Sequence, residues 1–104
     1  WQSMKIANLA EAFEVNVAPH NFYGHLCTMM NAHFCSAVPN LRIMELDIDR
    51  TPWDADLFSA VPQVRDGMLQ VPDTPGWGIE PVEAAIRARP PLQDAGLFRA
   101  RPAA

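Results

Sequence analysis

The first half of the chain alternates helix-like and strand-like segments, and this alternation constrains the fold more than any other feature. Apolar residues at helical spacing predict helices over residues 4–13 and 25–37. Short apolar segments predict buried strands over residues 15–18 and 41–47, and Pro19 ends the first because proline cannot donate to a strand ladder. Helix, strand, helix and strand joined by short connections indicate an α/β unit with parallel strands.

Each predicted helix has one apolar face that should pack on the strands. The face of the first helix consists of Ile6, Leu9, Ala10 and Phe13. The face of the second helix consists of Leu26, Met30, His33 and Ala37. Ser3 is the expected N-cap of the first helix, and Pro39 and Asn40 end the second. Two strands alone leave two open sheet edges, so we expect this unit to fold poorly by itself.

The second half carries turn residues in place of long periodic segments. Residues 51–61 show no regular pattern. Asp66-Gly67 lies between apolar flanks and predicts a β-hairpin over residues 64–71, because both central residues of the tight turn need positive φ. A turn-rich stretch follows over residues 72–78. Its Pro-Gly-Trp-Gly string lacks the spacing of a dinucleotide-binding loop.

The last predicted element is a short helix over residues 81–89, with Pro81 in its first turn. Residues 90–104 are predicted to form a loose tail. At the other end, the chain enters its first helix almost directly from Trp1. We therefore expect the chain to be part of a longer polypeptide, with a trimmed leader as the alternative.

Composition narrows the class of protein. The chain has 104 residues, of which 49% are hydrophobic, so one domain with a real core is expected. A net charge of −4 argues against a nucleic-acid or anionic-membrane partner, and no apolar run approaches the roughly 20 residues of a membrane span. No secretory signal is visible, and Cys27 and Cys35 cannot make a disulfide framework, so a reducing cytoplasm is the expected location.

Two residues at predicted strand ends are candidates for chemistry. His20 follows the first strand, at the end where sites of parallel sheets are built, and its imidazole can take a proton near neutral pH. Glu45 lies near the end of the second strand, where a carboxylate among apolar neighbours is costly unless it is paired or used. The alternatives are a histidine bonded to a loop carbonyl and a solvated strand-end glutamate.

The second helix contains four residues of the types that bind zinc, namely His25, Cys27, His33 and Cys35. On one helix, however, the two histidines lie about 12 Å apart along the axis. Zinc needs all its ligands within about 2.3 Å of one point. We therefore expect the cysteines to be small buried apolar groups and His33 to be a packed helix histidine.

Three strings in this order resemble one family of enzymes. They are KIANLAEAFEVNVAPHNFYGHL, AHFCSAVPNLRIMELDID and VRDGMLQVPDTPGWGIEPVEAAI. Together they cover about residues 4–89 and resemble the late-barrel segment of the mandelate racemase and muconate lactonizing enzymes of the enolase superfamily. The HNFYGHL form of the loop is more similar to the acid-sugar dehydratase branch than to the racemases.

The resemblance implies an α/β fold containing the last two βα units of a TIM-like (β/α) barrel, which is incomplete here. Residues 1–50 would be the C-terminal part of the barrel. Residues 51–89, which hold the hairpin and the short helix, would be a return segment that packs on an N-terminal capping domain. Residues 90–104 remain a tail.

The resemblance also implies a reaction and roles for the two candidates. Members of the family are Mg²⁺-dependent and abstract a proton α to a carboxylate. His20 matches the general base and acid at the end of the seventh strand, and Glu45 matches the residue at the end of the eighth that polarises the substrate carboxylate. An α-proton is so weakly acidic that a base alone falls short, and electrostatic stabilisation of the enediolate is also required.

The chain departs from the family in what it lacks. The family's three carboxylate metal ligands, a catalytic lysine and the aspartate paired with the base histidine lie on earlier strands, and the only lysine here is Lys5. We therefore expect the C-terminal part of a dehydratase or racemase that is inactive alone, with Mg²⁺ held elsewhere and a sugar acid or 2-hydroxy acid as substrate. The alternatives are a non-catalytic quarter-barrel interaction domain that self-associates, and a site completed by another polypeptide. A homo-oligomer is expected.

Overall fold

A computed structural model describes residues 1–90 of the chain. In chain order its elements are α1 (Gln2–Glu11), α2 (His25–Ala37), a 3-10 helix (Asp54–Leu57), β1 (Val64–Arg65), β2 (Met68–Leu69) and α3 (Glu83–Arg87). The predicted tail beyond residue 90 lies outside the described residues.

Helix α1 forms where the sequence predicts a helix, but both of its ends differ from the prediction. It begins earlier, with Trp1 at the N-cap position, so the prediction of Ser3 as the cap is wrong. At the other end Glu14 takes a left-handed φ of 56°. The Val15 N–H donates to the Ala10 carbonyl at 2.9 Å and the Glu14 N–H to the Glu11 carbonyl at 2.9 Å, the hydrogen-bond pair of a Schellman motif.

The predicted parallel pairing is present, but the two full strands are not. A single parallel bridge joins Val17 to Leu41. The Val17 N–H donates to the Asn40 carbonyl at 2.9 Å, and the Arg42 N–H donates to the Val17 carbonyl at 2.8 Å. Beyond the bridge, Pro19 has no N–H to donate, and two strands without further neighbours rarely keep a regular ladder. The barrel itself is therefore not formed by residues 1–90.

Helix α2 spans residues 25–37, as predicted from the sequence, but the prediction of its buried face is wrong. The buried residues of the helix are His25, Thr28, Met29, Ala32 and Cys35. Met30, from the predicted face, is 39% exposed. The buried face is rotated because Thr28 turns inward to Asn21 in the preceding loop and His25 turns inward to Asp54 in the 3-10 helix.

The apolar stripe that was expected to bury α1 instead faces outward. Ile6 and Leu9 are each 64% exposed and Phe13 is 73% exposed, whereas Ala7 is the buried residue of the helix. Asn40, which is also buried, donates to the Ala7 carbonyl at 3.0 Å and to the Val15 carbonyl at 2.9 Å. Helix α1 is thus anchored through a small residue and a buried amide, and its large apolar side chains remain uncovered.

The hairpin is confirmed in position and turn type. Asp66 and Gly67 have φ values of 52° and 75°, as a type I′ turn requires, and Val64 pairs with Leu69. The short helix begins later than predicted, because Pro81 forms an antiparallel bridge with Phe58 before α3 starts. This bridge connects α3 to the 3-10 helix.

The Pro-Gly-Trp-Gly string is a turn that packs on α2. Gly76 and Gly78 have φ values of 72° and 80°, and a β-carbon on Gly78 would overlap the ring of Pro72. The Trp77 ring meets the His33 ring edge-on at a centroid distance of 5.6 Å. Both glycines are therefore explained by backbone geometry, and His33 by packing, as the sequence predicts.

Candidate active site

The structure brings the two candidate residues together. The Val17–Leu41 bridge sets the two segments side by side, and the Glu45 N–H donates to the Pro19 carbonyl at 3.4 Å. The side chains that follow then meet, with Nδ1 of His20 at 2.6 Å from Oε2 of Glu45. Their side chains are 67% and 43% exposed, so the pair lies at an open edge of the molecule.

The contact fixes which nitrogen of His20 carries a proton. A carboxylate oxygen this close to Nδ1 accepts a hydrogen bond from it, which leaves Nε2 as the nitrogen with a free lone pair in the neutral ring. The family resemblance implies a substrate-facing role for Glu45, with the histidine paired to an aspartate outside the chain. In residues 1–90 the carboxylate that pairs with His20 is that of Glu45.

A backbone donor holds the same carboxylate oxygen. The Asn21 N–H donates to Oε2 of Glu45 at 2.9 Å, so this oxygen accepts from two donors. Within the described residues no hydrogen bond reaches Oε1 of Glu45. One oxygen is therefore committed to the protein, and the other can meet a ligand.

Two aromatic rings flank the imidazole. The Phe22 ring stacks on His20 at a centroid distance of 5.6 Å with an interplanar angle of 6°. The Tyr23 ring meets it edge-on at 5.9 Å. Both rings are about half exposed, so they restrict the orientation of the imidazole and leave it reachable from solvent.

An ionic cluster ties this loop to the 3-10 helix. Nη1 of Arg50 donates to the Tyr23 carbonyl at 2.7 Å and to Oδ2 of Asp54 at 3.3 Å. Nε2 of the buried His25 lies 3.6 Å from the same Asp54 oxygen. Burial lowers the pKa of His25, and the Arg50 charge lowers it further, against the opposing attraction of Asp54.

Residues 1–90 do not form a magnesium site of their own. No group of three or more His, Cys, Asp or Glu side chains within residues 1–90 is arranged to hold a metal ion. Asp47 accepts a hydrogen bond from the Asp49 N–H at 2.9 Å, as a turn residue does. A zinc site is disfavoured as well. Cys35 is buried, and burial raises the pKa of its thiol, which disfavours the thiolate that zinc would need as a ligand.

Two grooves border the paired segments. One, of about 390 Å³, runs beside Val17 to His20 between α1 and α2. The other, of about 510 Å³, runs along Leu41 to Leu46 and reaches the hairpin. Both have mainly apolar linings, as expected of surfaces that other elements of a larger fold would cover.

Four residues that support the pair are not indicated by the sequence. Asn21, Thr28, Asn31 and Arg50 all form hydrogen bonds around the His20 loop. The available signal was spacing, because Thr28 and Asn31 are three apart and share a helix face, and Asn21 directly follows the candidate histidine. None of the four has an unusual local pattern.

Comparison with known proteins identifies the family of the chain. Residues 1–85 match the model of the enolase C-terminal domain-like family. The chain therefore belongs to this family, which includes the mandelate racemase and muconate lactonizing enzymes, and its fold is α/β. The resemblance drawn from the three sequence strings is confirmed.

Individual relatives differ in the activity that their names give. A D-gluconate dehydratase from Thermoproteus tenax is 36% identical over 92 residues, which are 85% of this chain and 18% of that protein. The structure of a provisionally assigned L-alanine-DL-glutamate epimerase from Burkholderia xenovorans strain LB400, bound to magnesium and fumarate, is 64% identical. It has a TM-score of 0.84 and covers 86% of this chain and 22% of that one.

A mandelate racemase/muconate lactonizing enzyme from Jannaschia sp. CCS1 is 36% identical with a TM-score of 0.74, covering 85% of this chain and 22% of that one. The chain spans about a fifth of the length of the curated relatives that it matches. Within the described residues, no helix is both long enough and apolar enough to cross a membrane.

Proposed function

We propose that the chain is the C-terminal part of the barrel of a Mg²⁺-dependent enzyme that removes a proton α to a carboxylate. In this proposal residues 1–50 complete the barrel and residues 51–89 return to a capping domain. The observation that carries the proposal is the 2.6 Å contact between His20 Nδ1 and Glu45 Oε2 at the end of a parallel pair. We use "assembled enzyme" for this chain together with the polypeptide that supplies the rest of the barrel.

His20 is proposed as the general base. With Nδ1 donating to Glu45, Nε2 accepts the α-proton of the substrate, and the resulting imidazolium is stabilised by the adjacent carboxylate. In a dehydration the same imidazolium returns its proton to the departing β-hydroxyl group. Water then leaves, and the enol that remains tautomerises to the 2-keto-3-deoxy acid.

Glu45 is proposed to act on both partners of the reaction. Oε2 orients the imidazole, and Oε1 is the oxygen left to act on the substrate carboxylate. Mg²⁺, which the remainder of the assembled enzyme would hold, supplies Lewis-acid stabilisation of the developing charge. The described residues contribute proton transfer and orientation only.

A sugar-acid dehydratase is the activity we propose first, and an epimerase or racemase is the alternative within the family. Curated relatives named as dehydratases of D-xylonate and D-gluconate support the first, at 31% and 36% identity. The relative provisionally assigned as an epimerase, at 64% identity, supports the second. Both activities begin with the same proton abstraction and differ in whether the β-hydroxyl departs.

Proton exchange in D₂O tests the proposal. The assembled enzyme should exchange the α-proton of a sugar acid, and His20→Asn should lower that exchange roughly 10²–10⁴-fold while Mg²⁺ affinity stays unchanged. His33→Asn is the matched control, because His33 packs on Trp77 away from the pair. Full exchange in His20→Asn would refute the role of His20, and loss of Mg²⁺ binding would mean that His20 serves the metal instead.

A non-catalytic interaction domain that self-associates is the second candidate function. The uncovered stripe of Ile6, Leu9 and Phe13 on α1 favours it, since such a surface is covered in stable proteins. Sedimentation discriminates between the two candidates. A compact homo-oligomer of the 104-residue chain supports the interaction domain, and aggregation or an expanded monomer argues against it.

A further inference from the structure

We infer that Asn21 is a positioning residue that presents its backbone N–H to Glu45, and that α2 sets this geometry through Thr28 and Asn31. The inference rests on the proposed function and deepens it. It gives Asn21, Thr28 and Asn31 a part in the reaction in addition to their part in packing.

The Glu45 carboxylate needs positioning. Its side chain is 43% exposed and has several rotatable bonds, so without fixed donors it would sample many orientations. Two donors converge on Oε2, the His20 ring and the Asn21 N–H. The position of the ring depends on its side-chain torsions and on the half-exposed Phe22 and Tyr23 rings beside it, whereas the N–H belongs to the backbone. The Asn21 N–H is therefore the fixed reference for the carboxylate.

The Asn21 side chain fixes the direction of that N–H. Asn21 and Thr28 are both fully buried. The Asn21 amide nitrogen donates to the Thr28 hydroxyl at 3.1 Å, and its amide oxygen accepts from the Asn31 amide nitrogen at 2.9 Å. An amide held at both ends cannot rotate, and it anchors the peptide unit between Asn21 and His20.

One anchored residue thus orients both members of the pair. The peptide N–H of Asn21 holds Glu45, and the same peptide unit carries the backbone of His20. Catalytic groups held in this way need no rearrangement when substrate binds, and such orientation contributes to the rate of the chemical step more than to affinity. Loss of the anchor should therefore lower kcat with little change in KM.

Threonine replacements separate positioning from simple packing. Thr28→Val keeps the shape and removes the hydroxyl, whereas Thr28→Ser keeps the hydroxyl and removes a methyl group. In the assembled enzyme we expect Thr28→Val to lower kcat roughly tenfold with KM changed about twofold or less. Thr28→Ser should retain most of kcat, and Thr74→Val, on an exposed loop, should match the wild type.

Several results would overturn the inference. A wild-type kcat in Thr28→Val would refute it. An equal loss of kcat in Thr28→Val and Thr28→Ser would also refute it, because the methyl group and not the hydroxyl would then matter. If Thr28→Val fails to fold, Asn31→Ala provides the second test, because Asn31 is only partly buried and its loss should still lower kcat about threefold. Unchanged kcat in Asn31→Ala then refutes the inference.

The outcome is distinguishable from failure of the proposed function. If His20→Asn in the same enzyme retains proton exchange, the proposed base is wrong whatever the threonine variants do. If His20→Asn is inactive while Thr28→Val is fully active, the base stands and only the positioning role of Asn21 fails. A loss of activity in both variants with rescue by Thr28→Ser supports both.

Discussion

The two halves of the molecule are held together by different means. In residues 1–45 the buried groups include four polar residues, Asn21, His25, Thr28 and Asn40, and each of them makes a polar contact with another segment of the chain. In residues 51–90 only Ile79 is buried among the described residues. There the backbone is shaped by local geometry, at the hairpin turn and at Gly76 and Gly78.

This difference shows where the chain depends on its surroundings. In the first half Asn21 supports the His20–Glu45 pair and Asn40 anchors α1, while the large apolar side chains of α1 stay uncovered. The second half has too small a core to be stable by packing alone and depends on turns at positive φ and on short bridges. Neither half has a large core of its own, and the site lies in the half with the buried polar residues.

The largest expected effect comes from the local geometry of the second half. Gly78→Ala places a β-carbon against the ring of Pro72 at a residue with a φ of 80°. The protein to measure, for this variant and for the other stability variants, is the assembled enzyme. We expect its free energy of unfolding to fall by roughly 3 kcal/mol, measured by denaturant unfolding. Gly24→Ala is the control, because its β-carbon would meet only Phe58 at 3.9 Å. Equal stability of the two variants would contradict the contrast between the halves.

The next effect tests the long-range contacts of the first half. Asn40→Ala removes the amide that bonds to the carbonyls of Ala7 and Val15, and the expected loss is about 1–3 kcal/mol. Asn16→Ala, at an exposed position, should change stability by less than about 0.5 kcal/mol. If both asparagines behave alike in thermal unfolding, Asn40 does not anchor α1.

A smaller effect of opposite sign is expected at the end of α1. Glu14 has a left-handed φ of 56°, which costs a residue with a β-carbon about 1 kcal/mol. Glu14→Gly should therefore raise the midpoint of thermal unfolding, whereas Lys5→Gly, at an exposed position inside the helix, should lower it. A lower midpoint for Glu14→Gly would show that the Schellman motif does not form.

The smallest effect is a pH dependence from His25. Its pKa is lowered in the folded state, chiefly by burial, so below the unfolded pKa of 6.5 the unfolded chain binds more protons than the folded one. This contribution to stability is complete above pH 6.5 and is lost as the pH falls through the lowered pKa. Between pH 7.5 and 5, the free energy of unfolding of His25→Gln should therefore fall less steeply with decreasing pH than that of the wild type. An unchanged slope would contradict the assignment.

The sequence predicts what local chemistry determines and misses what distant partners determine. The range of α2, the Asp66-Gly67 turn and the parallel pairing of the two segments follow from periodicity, turn residues and element order. The buried faces of α1 and α2 could not be predicted, because they depend on Asn40 and Thr28 finding partners across the chain. In the site, His20 and Glu45 come from strand-end position and family resemblance, and their hydrogen-bond support comes only from the structure.

Reconstitution tests the central claim most directly, which is that this chain carries half of an active site. The 104-residue chain, with Mg²⁺ and a sugar acid, is assayed for α-proton exchange in D₂O, alone and as part of the assembled enzyme. The account predicts exchange only in the assembled enzyme. Clear turnover by the 104 residues alone would contradict it.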